Sequence, residues 1–191
     1  SSRGGFILTP NKKIFYDIGF HKGVISEKWL TDNPKGICYA FEPNPELDSC
    51  SKSLKKRFGD RFNGANLAAW DADGLKILHI GKGDQQGSSL IKEKKRLTTK
   101  SYTVSTFDFS QFLLNTSSPE DYICVKMDCE GAEYCILEKM ICDGSIKRVT
   151  ELTVEFHAGK IRDPEITKSH AFLKNYLAQA DWIKVKTFWH L

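Results

Sequence analysis

The chain has 191 residues, 40% of them hydrophobic and 27% charged, with a formal net charge of +4. That length predicts one domain, residues 1–191, able to bury about 70% of its unfolded surface without disulfides. The charge is too mild and too interspersed to argue for nucleic acid as a partner. No apolar run approaches the ~20 residues of a membrane span, and no signal-peptide pattern opens the chain. The cysteines at 38, 50, 124, 129, 135 and 142 include no Cys-x-x-Cys pair. Cys38, Cys124, Cys135 and Cys142 stand in apolar runs that read as core, so the expectation is reduced thiols and a cytoplasmic location.

In chain order, residues 1–5 read as a linker or cloning remnant, and Phe6 to Thr9 as a short strand leading through Pro10-Asn11 to a strand at Ile14–Ile18. Ser26 to Leu30 is predicted helical and closed by Asp32-Asn33-Pro34 and Gly36, with a second short strand, Cys38–Phe41, beyond it. A helix from about Asn44 carries Leu47, Cys50, Leu54 and Phe58 at helical spacing and ends at Gly59. Gly64–Trp70 reads as a strand, with Asp71-Ala72-Asp73-Gly74 turning a hairpin into Leu75–Ile80.

The glycine-rich stretch from Gly81 to Ser89 is either a solvated connection or a flap over substrate, with Ser88 and Ser89 as candidate substrate contacts. The basic run Lys92 to Lys100 is either a wet loop or an attractor for an anionic substrate such as a nucleotide-sugar. Tyr102–Phe107, Tyr122–Asp128, Val149–Phe156 and Trp182–Trp189 read as strands. Phe107–Leu114, Gly131–Ile141 and Ile166–Ala178 read as helices. Strands alternating with helices predict a mostly parallel α/β sheet whose ligand site lies beyond the carboxyl ends of the strands.

The most informative stretch is Asp17-Ile18-Gly19-Phe20-His21-Lys22-Gly23, a glycine turn between strand and helix, where a ligand can approach backbone with no Cβ in the way. A dinucleotide site calls for Gly-x-Gly-x-x-Gly to meet pyrophosphate. Here an acid stands at the lip, which disfavours phosphate and suits a cationic, phosphate-free ligand such as S-adenosylmethionine. About 20 residues on, Glu42 ends the next strand, the position that binds ribose hydroxyls in doubly wound sheets. Asp17, Gly19, Phe20, His21, Gly23, Glu42, Pro43, Asn66, Ala68 and Asp128 are therefore the candidate cofactor contacts.

Asp128, Glu130, Glu155 and His157 gather at later strand ends and are the candidate catalytic groups. A methyl transfer to a hydroxyl needs in-line positioning and a proton acceptor. His157 oriented by Glu155 or Asp128 is one candidate base. Asp128, Glu155 and His157 holding a Mg²⁺-like cation is another route to the deprotonated hydroxyl. Glu133 is either a substrate contact or a first-turn acid favouring its helix dipole.

Asp17-Ile18-Gly19-x-x-x-Gly23-x-x-Ser26, Phe41-Glu42-Pro43-Asn44-Pro45, Asn66-x-Ala68, Gly87-Ser88-Ser89-Leu90, Val104-x-Thr106-x-Asp108 and Lys126-Met127-Asp128-Cys129-Glu130-Gly131-Ala132-Glu133 together resemble the FkbM-type S-adenosylmethionine-dependent O-methyltransferases. The resemblance implies a class I methyltransferase (Rossmann-like) fold: a seven-stranded, mostly parallel sheet, helices on both faces and a reversed last strand. It implies methyl transfer to a hydroxyl, commonly of a sugar in a glycan or natural product. Asp17, Gly19 and Gly23 would line the methionine end, Glu42 would hold the ribose, Asn66 to Ala68 would lie near the adenine, and Asp128 would face the reacting centre. The family's usual Ala-Asn in the glycine turn is Phe20-His21 here. The chain is also expected to be a domain of a larger glycan-synthesising enzyme. The alternatives are a peptide or small-molecule acceptor, an NAD-dependent oxidoreductase, and a non-catalytic cofactor-binding module.

Overall fold

The computed structural model of the protein describes residues 11–82 and 87–189. The strand expected at Phe6–Thr9, the linker at 1–5 and residues 83–86 of the glycine-rich stretch lie outside them. The elements are β1 (Lys13–Ile18), α1 (Val24–Asp32), β2 (Ile37–Phe41), α2 (Asp48–Phe58), β3 (Phe62–Ala65), β4 (Ala68–Trp70) and β5 (Gly74–Gly81). Then follow β6 (Leu97–Asp108), α3 (Phe109–Thr116), β7 (Tyr122–Met127), α4 (Glu133–Cys142), β8 (Glu151–Phe156), α5 (Pro164–Gln179) and β9 (Lys184–Trp189).

The main sheet has the order β3-β2-β1-β7-β8-β9 and is parallel throughout. Its order reverses between β1 and β7, where crevices in such sheets open. The central strands are apolar on both sides because both faces are covered. Ile14, Tyr16, Ile18, Val125 and Met127 join the core that includes residues of α3, α4 and α5, whereas Phe15, Cys38, Ala40 and Cys124 pack with Leu30 of α1 and Leu54 of α2.

Two features differ from the expected seven strands and reversed last strand. The main sheet has six strands, and β9 runs parallel to β8, from Glu151 opposite Lys184 to Phe156 opposite Trp189. The sixteen-residue helix α5 carries the chain from the carboxyl end of β8 back to the amino end of the sheet, which is how a parallel neighbour arises; a reversed strand needs only a short turn.

The Asp71–Gly74 turn does not make β4 and β5 partners either. Both pair with β6, β4 in parallel and β5 antiparallel, in a second three-stranded sheet. Each takes a different edge of the twelve-residue β6: β5 pairs between Leu97 and Thr106, and β4 lies against the last three residues, Thr106 to Asp108. This small sheet docks on the large one through an aromatic cluster: the rings of Phe41 and Phe107 lie 4.5 Å apart, and Phe112 meets both edge-on. Asp108 then caps α3 by accepting the Gln111 amide at 3.0 Å.

All six cysteines are free; Cys135 is half-buried and packs against the core, but Cys142 is exposed, against its expected place in the core. α4 ends at Cys142 and turns that residue outward. Among the described residues no helix is long and apolar enough to cross a membrane.

Candidate active site

The carboxyl ends of β1, β2 and β7 are knitted together by backbone. The amides of Gly19 and Phe20 both donate to Phe41 O, at 3.0 and 3.1 Å, and the Asp128 amide donates to Ile18 O at 3.0 Å. Gly19 adopts φ +78°, and a Cβ there would stand 1.9 Å from Asp128 O. Only glycine lets the two turns touch.

Over these ends opens a cleft of about 900 Å³. Gly19, Phe20, His21, Gly23, Glu42, Pro43 and Ala68 line it, as do Asp128, Glu130 and Glu155. Ser88 lines it from the segment 87–96, which leaves β5, crosses the opening and is held by the loop after β8. The Lys95 amide donates to Lys160 O at 2.9 Å and the Arg162 amide to Glu93 O at 3.3 Å.

The structure brings most of the sequence-predicted residues to this cleft, but not all to its wall. Asp17 is fully buried behind it, accepting from Ser26 Oγ at 2.7 Å and pairing with Lys126 Nζ at 3.1 Å. Asn66 lies outside the main cleft, donating through Nδ2 to Glu42 O at 2.7 Å. Ser89 is buried, with its hydroxyl spent on Glu130 O at 2.6 Å.

Glu133 is fully buried and also off the wall. It accepts the Gly131 amide at 2.8 Å, the His157 amide at 3.1 Å and His157 Nδ1 at 3.1 Å. It therefore orients the imidazole, a task the sequence had offered to Glu155 or Asp128. His157 itself is fully buried, and its Nε2 faces Glu155 Oε1 at 3.2 Å, Glu130 Oε2 at 3.3 Å and Asp128 Oδ1 at 3.6 Å. These carboxylates stand between the ring and the cleft.

The electrostatics follow from that packing. Burial alone would pull the His157 pKa down, but the Glu133 hydrogen bond and the facing carboxylates outweigh it and hold the imidazole above its ordinary value. Burial raises Asp128, an effect Lys126 opposes and Glu155 reinforces. Burial also raises Glu42, although the Asn44 and His21 amides, both 2.9 Å from its oxygens, partly offset this. Lys126 was missed in the sequence. Its Nζ reaches Gly19 O at 2.6 Å, Asp17 at 3.1 Å and Asp128 at 3.9 Å, bracing both turns. The available signal was a cation inside the apolar run Tyr122–Met127, which burial tolerates only with partners.

Asp128, Glu130 and His157 present ligand atoms within 4.8 Å of one another, a grouping able to hold a cation; Glu130 takes the place that the sequence gave to Glu155. His21 (φ 50°), Arg96 (φ 65°) and Glu130 (φ 54°) are the non-glycine residues with positive φ among those described, and all three line the cleft. Backbone strain of this kind concentrates at ligand sites.

Neither a curated protein sequence nor a solved structure matches the chain. The family model described as the methyltransferase FkbM domain matches residues 17–182, from the acid at the glycine turn to the approach to β9. A glycine turn, a strand-end acid and a carboxylate cluster on one cleft agree with that match: the chain belongs to the FkbM methyltransferase family.

Proposed function

We propose that the protein transfers a methyl group from S-adenosylmethionine to a hydroxyl of a sugar. The observation that carries this is the single cleft shared by the glycine turn, Glu42 and Asp128. Glu42 would accept hydrogen bonds from the ribose hydroxyls, and Ala68 would lie against the adenine. The turn from Gly19 to Gly23 would receive the methionine end, with buried Asp17 favouring its ammonium from behind.

The acceptor oxygen attacks the methyl carbon in line. When bound, the donor would supply the methyl group, its S–C bond breaking as the C–O bond forms with S-adenosylhomocysteine as leaving group, and a cleft-wall carboxylate would take the hydroxyl proton. Asp128 suits that last role. It lines the cleft, and its raised pKa makes it a stronger base than an ordinary carboxylate. His157, buried behind it, would hold the carboxylates in register, its Nε2 facing Glu155, Glu130 and Asp128 at 3.2, 3.3 and 3.6 Å.

Asp128→Asn is the test. With radiolabelled donor and a panel of mono- and oligosaccharides, kcat is expected to fall about 10²–10⁴-fold, while S-adenosylhomocysteine binds within a few-fold of wild type. Labelling of a peptide or lipid but no sugar would overturn the acceptor assignment. The Asp128, Glu130 and His157 grouping favours a second route in which a divalent cation stabilises the deprotonated hydroxyl. Loss of transfer in EDTA, restored by added Mg²⁺, would select it.

A further inference from the structure

The cleft has more positive charge at its mouth than its own acids can balance. Lys22, Lys82, Lys95, Arg96 and Lys160 all line it, and among the described residues none has a carboxylate within salt-bridge distance. The other two cations of the wall are already matched. Lys94 is buried against Glu130 at 2.8 Å, and Lys126 is shared between Asp17 and Asp128.

Four of the five unmatched cations, Lys82, the adjacent Lys95 and Arg96, and Lys160, come from three segments drawn together by backbone. The Lys82 amide donates to Arg96 O at 2.9 Å, the Lys95 amide to Lys160 O at 2.9 Å, and Lys95 Nζ to Gly159 O at 3.1 Å. They form one rim running from the end of β5, along the crossing segment, to the turn after β8. Arg96 is held there at φ 65°, beside the register shift between His79 and Gly81 where β5 meets Leu97. Elsewhere several surface lysines have acids beside them, as Lys28 has Asp32, Lys52 has Asp48 and Lys168 has Glu165.

We infer that the rim of Lys82, Lys95, Arg96 and Lys160 is an acceptor subsite for an oxyanion, so that the sugar methylated carries a phosphoryl or carboxylate group. This rests on the methyl-transfer function proposed above. The donor is net cationic and its single carboxylate is expected at the Gly19–Gly23 turn beside Lys22, whereas a guanidinium fork flanked by lysines suits an anionic acceptor. The rim also draws anions toward the opening at low ionic strength.

The experiment is calorimetric titration at low salt of inorganic pyrophosphate and, separately, glucuronate into the protein saturated with S-adenosylhomocysteine. Saturable binding of at least one is expected. It should weaken tenfold or more in the Lys95→Gln/Arg96→Gln/Lys160→Gln variant and stay unchanged in a Lys52→Gln/Lys56→Gln/Lys168→Gln control. Pyrophosphate against glucuronate tells a phosphoryl acceptor from a uronate one. Absence of binding by both, or equal weakening in rim and control variants, would overturn the subsite. Binding of S-adenosylhomocysteine is measured first. If it fails, the methyltransferase assignment falls, and pyrophosphate binding is then judged alone.

Discussion

At the scale of residues, the cleft is built from groups whose charge is decided by burial rather than by type. Glu42 is the clearest case: two backbone amides hold its oxygens, yet burial keeps its pKa above 4.5. For an acid raised on folding, the folded state keeps a proton that the unfolded chain has released. Its stability contribution is therefore fullest below pH 4.5 and is lost as pH rises through the folded value. Donor binding runs the other way, because ribose hydroxyls need the ionised acceptor. Affinity for S-adenosylhomocysteine is expected to weaken on acidification, beginning above pH 4.5, and calorimetry across pH 5–8 should show Glu42→Gln weaker but nearly flat. A wild-type affinity independent of pH would remove Glu42 from the ribose. Asp17, Gly19, Glu42 and Asp128 were legible in the sequence because each sits at a strand end, which local pattern reveals. Lys126 and Glu133 were not, because their partners lie 107 and 24 residues away and only folding brings them together.

At the scale of elements, Glu133 ties the start of α4 to the end of β8. Removing its carboxylate leaves the Gly131 and His157 amides and the buried His157 Nδ1 without their acceptor. Glu133→Ala is expected to cost about 3–5 kcal/mol, as breaking buried pairs does. For a chain of this size that lowers Tm by roughly 6–20 °C in scanning calorimetry. A fall under about 2 °C would mean that the tie carries no load. The strands and helices themselves were legible from periodicity, with most bounds recovered within two or three residues. Pairing was less so: Gly64–Trp70 read as one strand turning into a hairpin, whereas it divides between β3 of the main sheet and β4 of the small one, and β4 and β5 take opposite edges of β6, a choice set by contacts distant in sequence.

At the scale of the whole molecule, the donor cleft draws on β1, β2, β7 and β8, so occupancy should be felt by the entire main sheet. S-adenosylhomocysteine at a hundred times its Kd is expected to add about 2.7 kcal/mol to stability, raising Tm by roughly 5–10 °C. NAD at the same concentration should add nothing, and an equal shift with NAD would instead favour an oxidoreductase.

The contact of Gly19 with the backbone of Asp128 has a consequence for how such a molecule can diversify. Two loops fused with no side chain between them leave no room for an inserted or enlarged residue, so neither can be remodelled without dislodging its neighbour. In the segment 87–96, Gly87, Ser89 and Lys94 are held as tightly, but the side chains of Lys92 and Lys95 stand exposed and could change without moving the backbone. A change of acceptor is therefore expected to be tolerated at such positions sooner than at the donor turns.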